Sequence, residues 1–191
     1  VKRLLRRVSI GLGVLLALGI GAVLVVQRVA DGPIGPLAGG PLRTGPLVAE
    51  PDVDWERVMA PRPQVELQLV ATSSTRITGG MVHEGQLYVP CDLGFMGHRI
   101  PGASARAILY LILAVKHWHQ DAARDGRVVL RIAGNRYERQ AVRVTDEALL
   151  ATLRAQLEKA ALRYFGIPSL LDVPVSPDSI WFFRMDARPA Q

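Results

Sequence analysis

Residues 8 to 26, VSIGLGVLLALGIGAVLVV, form an uncharged apolar run directly behind a basic cluster of Lys2, Arg3, Arg6 and Arg7. At a helical rise of about 1.5 Å per residue this run reaches roughly 28 Å, close to the roughly 30 Å hydrocarbon core of a bilayer. The four positive charges ahead of it predict a cytoplasmic N-terminus, with everything after Gln27 on the far side of a bacterial-type inner membrane. A cleaved signal peptide has a shorter apolar stretch, about 7 to 15 residues, and a small-x-small exit. The nearest exit here, ArgValAla at 28 to 30, puts Arg28 where a small side chain is needed. The sequence therefore predicts a retained single-pass anchor whose partner is the lipid bilayer through residues 8–26.

Beyond the anchor about 160 residues remain, enough for one domain with a real core. The formal net charge of +6 is largely the work of the four basic residues before the anchor. Without them, 19 Lys plus Arg face 17 Asp plus Glu, which argues against a nucleic-acid partner. A single cysteine, Cys91, allows no intrachain disulfide and reads as a small buried hydrophobe. The organisation expected is a basic cytoplasmic segment at 1–7, the anchor at 8–27, a Gly/Pro-rich tether at 28–55 and a folded domain at 56–191. The prolines of DGPIGPLAGGPLRTGPLVAEP, residues 31–51, remove backbone donors at short intervals. Such a segment is an extended tether, although it can also wrap along the flank of a domain.

VELQLVA at 65–71 alternates as a half-buried strand, with Val65, Leu67 and Leu69 on one face. RITGGMVH at 76–83 and QLYVPC at 86–91 flank Glu84–Gly85, a tight hairpin signal. A looser stretch from Asp92 to Ala105 follows. ILYLILAVKHWHQDAARD then places Ile108, Leu111, Val115, Trp118 and Ala122 on one helical stripe. RVVLRIAG and RYERQAVRV flank Gly134–Asn135 as a second hairpin, with Val128, Leu130, Ile132, Val142 and Val144 expected inward. Thr145 is the expected cap of a last helix, whose apolar face is Leu149, Leu150, Leu153, Leu157, Ala161 and Tyr164 and which stops at Gly166 and Pro168. IWFFRM at 180–185 fits a closing strand. The order is three strands, helix, two strands, helix, strand. Strands in that order curl economically into a small antiparallel barrel with its ends covered by two helices, making the chain an anchored α+β protein.

The stretch from Val65 to Leu153 resembles the split-barrel superfamily of flavin- and deazaflavin-binding proteins, the pyridoxamine-phosphate-oxidase-like group and especially its deazaflavin-dependent nitroreductase branch. The first hairpin VHEGQLYVPC, the segment HWHQDAARDGRVVLRIAGNRYERQAV and the ThrAspGlu that opens a helix carry the resemblance. It implies an FMN or deazaflavin cofactor and a homodimer. The family's basic, Gly-containing phosphate turn appears here only as AlaThrSerSerThrArg at 71–76. Thr75, Arg76 and Thr78 offer hydroxyls and a guanidinium to a phosphate, while Trp118 and His119 are placed to meet a flavin edge.

His117 and His119, two apart on a helix, point about 200° from one another and cannot share a small metal site. A zinc site would need His83, His98 and one of His117 and His119 to converge with a carboxylate such as Asp92. Arg131, Arg139 and Arg143 beside Tyr137 form a candidate anion row on an outward strand face. The chain contains no GxSxG, P-loop, HExxH or CxxC motif, so hydrolase, triphosphatase, zincin and thiol-redox chemistry lack support. Flavin enzymes need few protein catalytic groups, because the cofactor carries the hydride. Two functions stay open: a flavin- or deazaflavin-dependent oxidoreductase, and a noncatalytic envelope module that uses the same barrel to bind a small-molecule ligand or a protein. A haem-binding barrel with His117 or His119 as axial ligand rests on residue type alone.

Overall fold

A computed structural model describes residues 2–35, 38–60, 64–92, 117–165 and 180–189. Four expectations lie outside these residues: the course of the loop after Asp92, the first half of the 108–125 helix, the placement of His98, and the connection after Phe165. The side chains of Ala161 and Tyr164 also lie outside them.

The basic cluster and the apolar run are one helix, α1 (Lys2–Val29). Ile10–Val29 is long and apolar enough to cross a membrane, with a mean hydropathy of 2.4 and none of it covered by the rest of the chain. Leu12, Leu15 and Leu18 are about two-thirds exposed at 67, 68 and 65 %, a degree of apolar exposure that a bilayer would cover.

The remaining elements are β1 (Leu47–Val48), α2 (Trp55–Met59), β2 (Gln64–Leu69), β3 (Ser74–Gly79), β4 (Met81–His83) and β5 (Gln86–Asp92). They continue with α3 (Trp118–Arg124), β6 (Arg127–Ile132), β7 (Asn135–Arg143), α4 (Glu147–Phe165) and β8 (Ile180–Ala187). The strands pair antiparallel in the order β3-β2-β6-β7-β8-β5-β4, and the short β1 joins β7 in parallel. The sheet curls until β3 and β5, far apart in that order, come into contact. There the Thr78 hydroxyl donates to the Pro90 carbonyl at 3.3 Å, a side-chain link where a closed barrel would have a main-chain ladder. The fold is a split β-barrel behind an apolar helix.

Alternation fills its interior with Val65, Leu67, Leu69, Leu87, Val89, Cys91, Val128, Leu130, Ile132, Phe183 and Met185. The opposite face of β8 presents Ile180 and Phe182 to Leu153 of α4. One end of the barrel is covered by α2, where Trp55 meets Tyr137 at 5.2 Å between centroids. The other end is covered by α3, where Trp118 meets Phe183 at 5.6 Å. The one-turn α2 was not expected from the sequence, although Asp54 signals it by accepting the Arg57 amide at 3.1 Å.

Three local expectations are corrected. RITGGMVH is two strands, because the chain leaves the sheet at Gly80 to pass from one end of the strand order to the other. A Cβ on Gly80 would press against Met59 and Val65, so the corner requires glycine. The second hairpin turns on Ala133–Gly134, at φ 49° and 82°, one residue earlier than Gly134–Asn135. That register pairs Leu130 with Tyr137 and Val128 with Arg139, so Tyr137, Arg139 and Ala141 face inward in place of Val142 and Val144. A slip of one residue moves every side chain of a strand to the other face, and Val142 is accordingly 38 % exposed. The cap of α4 is Asp146, whose carboxylate accepts the Leu149 amide at 2.7 Å, in place of Thr145.

The Gly/Pro-rich segment takes the flanking course of its two options. Asp31 accepts the Arg43 amide at 2.6 Å and the Arg131 guanidinium at 2.9 Å, and the Thr44 hydroxyl donates to it as well. Arg131 also donates from Nε to Glu66 at 2.7 Å. Gly39 exchanges two main-chain hydrogen bonds with Thr75, each 3.1 Å, and a Cβ on Gly39 would collide with the Gly32 carbonyl. Leu42 is buried and donates its amide to Gln68 at 2.8 Å. The strap thus covers the outer face of β2, β3 and β6. Thr75→Val is expected to cost about 1 kcal/mol in urea unfolding, because the buried Thr75 hydroxyl donates to the Gly40 carbonyl at 2.8 Å and valine leaves that carbonyl without it. An unchanged midpoint would show that the strap is not anchored there.

Candidate functional site

Inward-facing positions at the α3 end of the barrel bring cations and aromatic rings together. Arg76 lies opposite Leu67 on β3, which turns its guanidinium into the barrel. There it stacks over Trp118 at 5.5 Å from the ring centroid. Phe183 of β8 joins Trp118 to Trp181, at 5.6 and 6.3 Å. Arg143, paired with Phe183 across the β7–β8 ladder, lies over the Trp181 ring at 3.5 Å. His119 meets the edge of the same ring at 4.9 Å. Two guanidinium–tryptophan stacks therefore flank one phenylalanine.

The two stacks differ in access. Trp118 and His119 are buried at 2 and 7 % exposure, so α3 uses them chiefly as packing. Trp181 is partly exposed, and with Arg143, Thr145, Leu150, Arg154 and the carboxylate-bearing Glu147 it lines a cavity of about 250 Å³. Burial pulls the Arg76 guanidinium below its usual range, opposed by the nearby Cys91 and Asp121. Arg127, Arg131, Arg184 and Arg188 each meet a carboxylate, at 2.7, 2.5, 2.6 and 3.0 Å. Among the described residues neither Arg76 nor Arg143 has a carboxylate within 4.0 Å. Arg76 Nε and Trp181 Nε1 are buried donors with no hydrogen-bond acceptor among the described residues. Of the two, Trp181 lines the cavity, so its donor is the one placed to meet an acceptor from outside the described residues.

Of the five residues singled out from sequence, Arg76, Trp118 and His119 meet in this cluster. Thr75 faces the other way, beneath the strap, with its hydroxyl on Gly40. The Thr78 hydroxyl is engaged by Pro90. A phosphate cradle built on these three positions reduces to Arg76. The proposed row of Arg131, Arg139 and Arg143 is split by the corrected register. Arg131 is outside, in the strap clamp, while Arg139 is buried against Trp55 at 5.3 Å and donates to the Glu50 carbonyl at 2.9 Å. Sequence reasoning missed Trp181 and its pairing with Arg143. The aromatic run IWFF was the signal, but its partner emerges only from the β7–β8 register. Among the described residues no group of three His, Cys, Asp or Glu could hold a metal.

No protein-family model matches the sequence, and no curated protein matches it. Among solved structures it is similar to a crystal structure from Listeria innocua described as a "putative pyridoxamine 5′-phosphate oxidase". The two share 10 % identity over 68 % of this chain and 86 % of that one, with a TM-score of 0.43.

Proposed function

We propose that this protein is a single-pass, membrane-anchored, extracytoplasmic binding barrel. Its ligand is a planar molecule with an anionic, acceptor-bearing group, taken up beside Trp181, Arg143 and Arg76. The supporting observation is the pair of buried donors, Arg76 Nε and Trp181 Nε1, that lack acceptors among the described residues, in a cluster where neither Arg76 nor Arg143 has a carboxylate within 4.0 Å. Flavin nucleotides belong to this ligand class, with a flat ring to lie against tryptophan and a phosphate to meet arginine. Thr75 and Thr78 have their hydroxyls engaged, so the fit to a flavin phosphate rests on the guanidinium groups. A bound flavin would supply hydride transfer, and this chain's residues would hold the ring and exclude water.

The test is titration of the full-length protein in mild detergent with FMN, riboflavin and a deazaflavin, followed by visible absorbance and tryptophan fluorescence. FMN should give a saturable band shift, and riboflavin, which lacks the phosphate, should bind more weakly. Arg76→Ala should weaken FMN by more than about 1 kcal/mol, roughly fivefold or greater, if the charge-assisted contact forms. No change with any of the three overturns the ligand reading in favour of a barrel that serves a protein partner. Equal binding of FMN and riboflavin removes the arginines from the recognition.

A further inference from the structure

The strap does more than cover the sheet, because it also holds the end of α1. Arg43 donates to the Val29 carbonyl at 3.0 Å, capping the helix. Gly40 packs so tightly on the carbonyls of Arg28 and Ala30 that a Cβ would collide with them. Between this helix end and the barrel lies a groove of about 420 Å³. Leu24, Gln27 and Arg28 form one wall, the strap residues Ala38–Pro41 the floor, and the β2–β3 turn at Thr72, Ser73 and Ser74 the other wall.

The chemistry of the groove changes along its length. Leu24 is apolar and exposed, and one turn later Arg28 lines the same groove as the hydroxyl-bearing Thr72 and Ser73, while the Ser74 hydroxyl accepts from Arg76 at 3.3 Å. This change coincides with the end of the apolar run, the depth at which a bilayer passes from acyl chain to phosphate. Arg28 has no carboxylate within 4.0 Å among the described residues, and the nearby Asp31 is engaged by Arg43, Thr44 and Arg131. A guanidinium with hydroxyl donors is a phosphate-binding set, and a groove already formed between fixed walls loses little entropy on occupation.

We propose that this groove binds the phosphate headgroup of a phospholipid in the leaflet from which α1 emerges, so that the barrel rests on the membrane with its β2–β3 turn downward. The site rests on the reading of α1 as a membrane span. Arg28 and the hydroxyls hold the phosphodiester, and Leu24 accompanies the first part of the acyl chain.

The experiment uses the full chain in nanodiscs of phosphatidylcholine containing phosphatidylglycerol, with retained lipid counted by native mass spectrometry after release. One phosphatidylglycerol should stay bound, and Arg28→Gln and Thr72→Val should each lower its retention about tenfold. Far-ultraviolet circular dichroism establishes that both variants are folded. Undiminished retention in both folded variants overturns the proposal. So does saturable binding of inorganic phosphate that displaces the lipid at millimolar concentration, which would make this a site for free phosphate. Alkaline carbonate extraction separates the two readings. If the chain leaves the membrane, the anchor reading fails and the lipid site with it; if it stays while Arg28→Gln retains lipid normally, only the lipid site fails.

Discussion

Phe183→Ala is expected to lower the unfolding free energy by about 3 to 5 kcal/mol, the usual cost of emptying a fully buried phenylalanine site. Phe183 has no exposed surface, lies opposite Val89 on one neighbouring strand and Arg143 on the other, and separates the two tryptophans of the cluster. Trp118 is fixed on the α3 helix and Trp181 on the β8 strand, so the two rings cannot both move inward to fill the void and little of the cost is recovered by relaxation. A domain of this size is stable by roughly 5 to 15 kcal/mol, and the variant would lose a large part of that. Urea unfolding of the full chain in detergent, followed by tryptophan fluorescence, reads the effect as a lower midpoint at unchanged slope. A cost below about 1 kcal/mol would mean that the Trp118–Phe183–Trp181 row is not packed in solution.

Arg131→Met should cost about 2 kcal/mol near neutral pH, and that cost should shrink as the pH is lowered. The substitution removes donors from Asp31 and Glu66 and leaves two carboxylates close together without their shared cation. Breaking a fully buried pair costs about 3 to 5 kcal/mol. Solvent discounts that figure here, because the side chains of Arg131, Asp31 and Glu66 keep 14, 30 and 27 % of their exposure.

Acid dependence follows from the same contacts. Partial burial pushes the Asp31 carboxyl up, but hydrogen bonds from the Thr44 hydroxyl, the Arg43 amide and Arg131 outweigh it and hold the group well below its ordinary 3.8. A carboxyl depressed by folding stabilises the folded state fully above its unfolded value, and the contribution is lost as pH falls through the folded one. The stability gap between the native chain and Asp31→Asn should therefore be constant above about pH 5 and shrink below about pH 4. In Arg131→Met the shrinkage should be smaller and complete at higher pH, because Asp31 has lost a donor and its folded-state value lies closer to the unfolded one. A gap independent of pH down to about pH 2 would show that Asp31 is not clamped.

The elements that could be read from sequence are those specified locally. Glu84–Gly85 marked its hairpin because a two-residue turn needs positive φ at both positions, and they adopt 50° and 74°. The second hairpin was read one residue late because Ala133 carries a left-handed conformation that its side chain does not advertise. Its strand was also hard to orient, since the buried Arg139 is tolerated only with Trp55 and the Glu50 carbonyl beside it, more than 80 residues upstream. The strap was ambiguous for a related reason, as its hydrogen bonds go to Gln68, Thr75, Arg131 and Arg136 and leave no period in its own sequence. In the cluster, Arg76 and Trp118 were found by residue type and turned out to stack. Arg143 and Trp181 were separable into a pair only by register.

The strand order also dictates when the barrel can be completed. Among the described strands, the ladder partners of β5 are β4, its own hairpin mate, and β8. The β4–β5 hairpin, with Leu87, Val89 and Cys91 on its buried face, is therefore laddered to the β2–β6–β7 block only through residues 180–187. β8 is thus a keystone, and a chain lacking it would present an open, sticky edge to other chains.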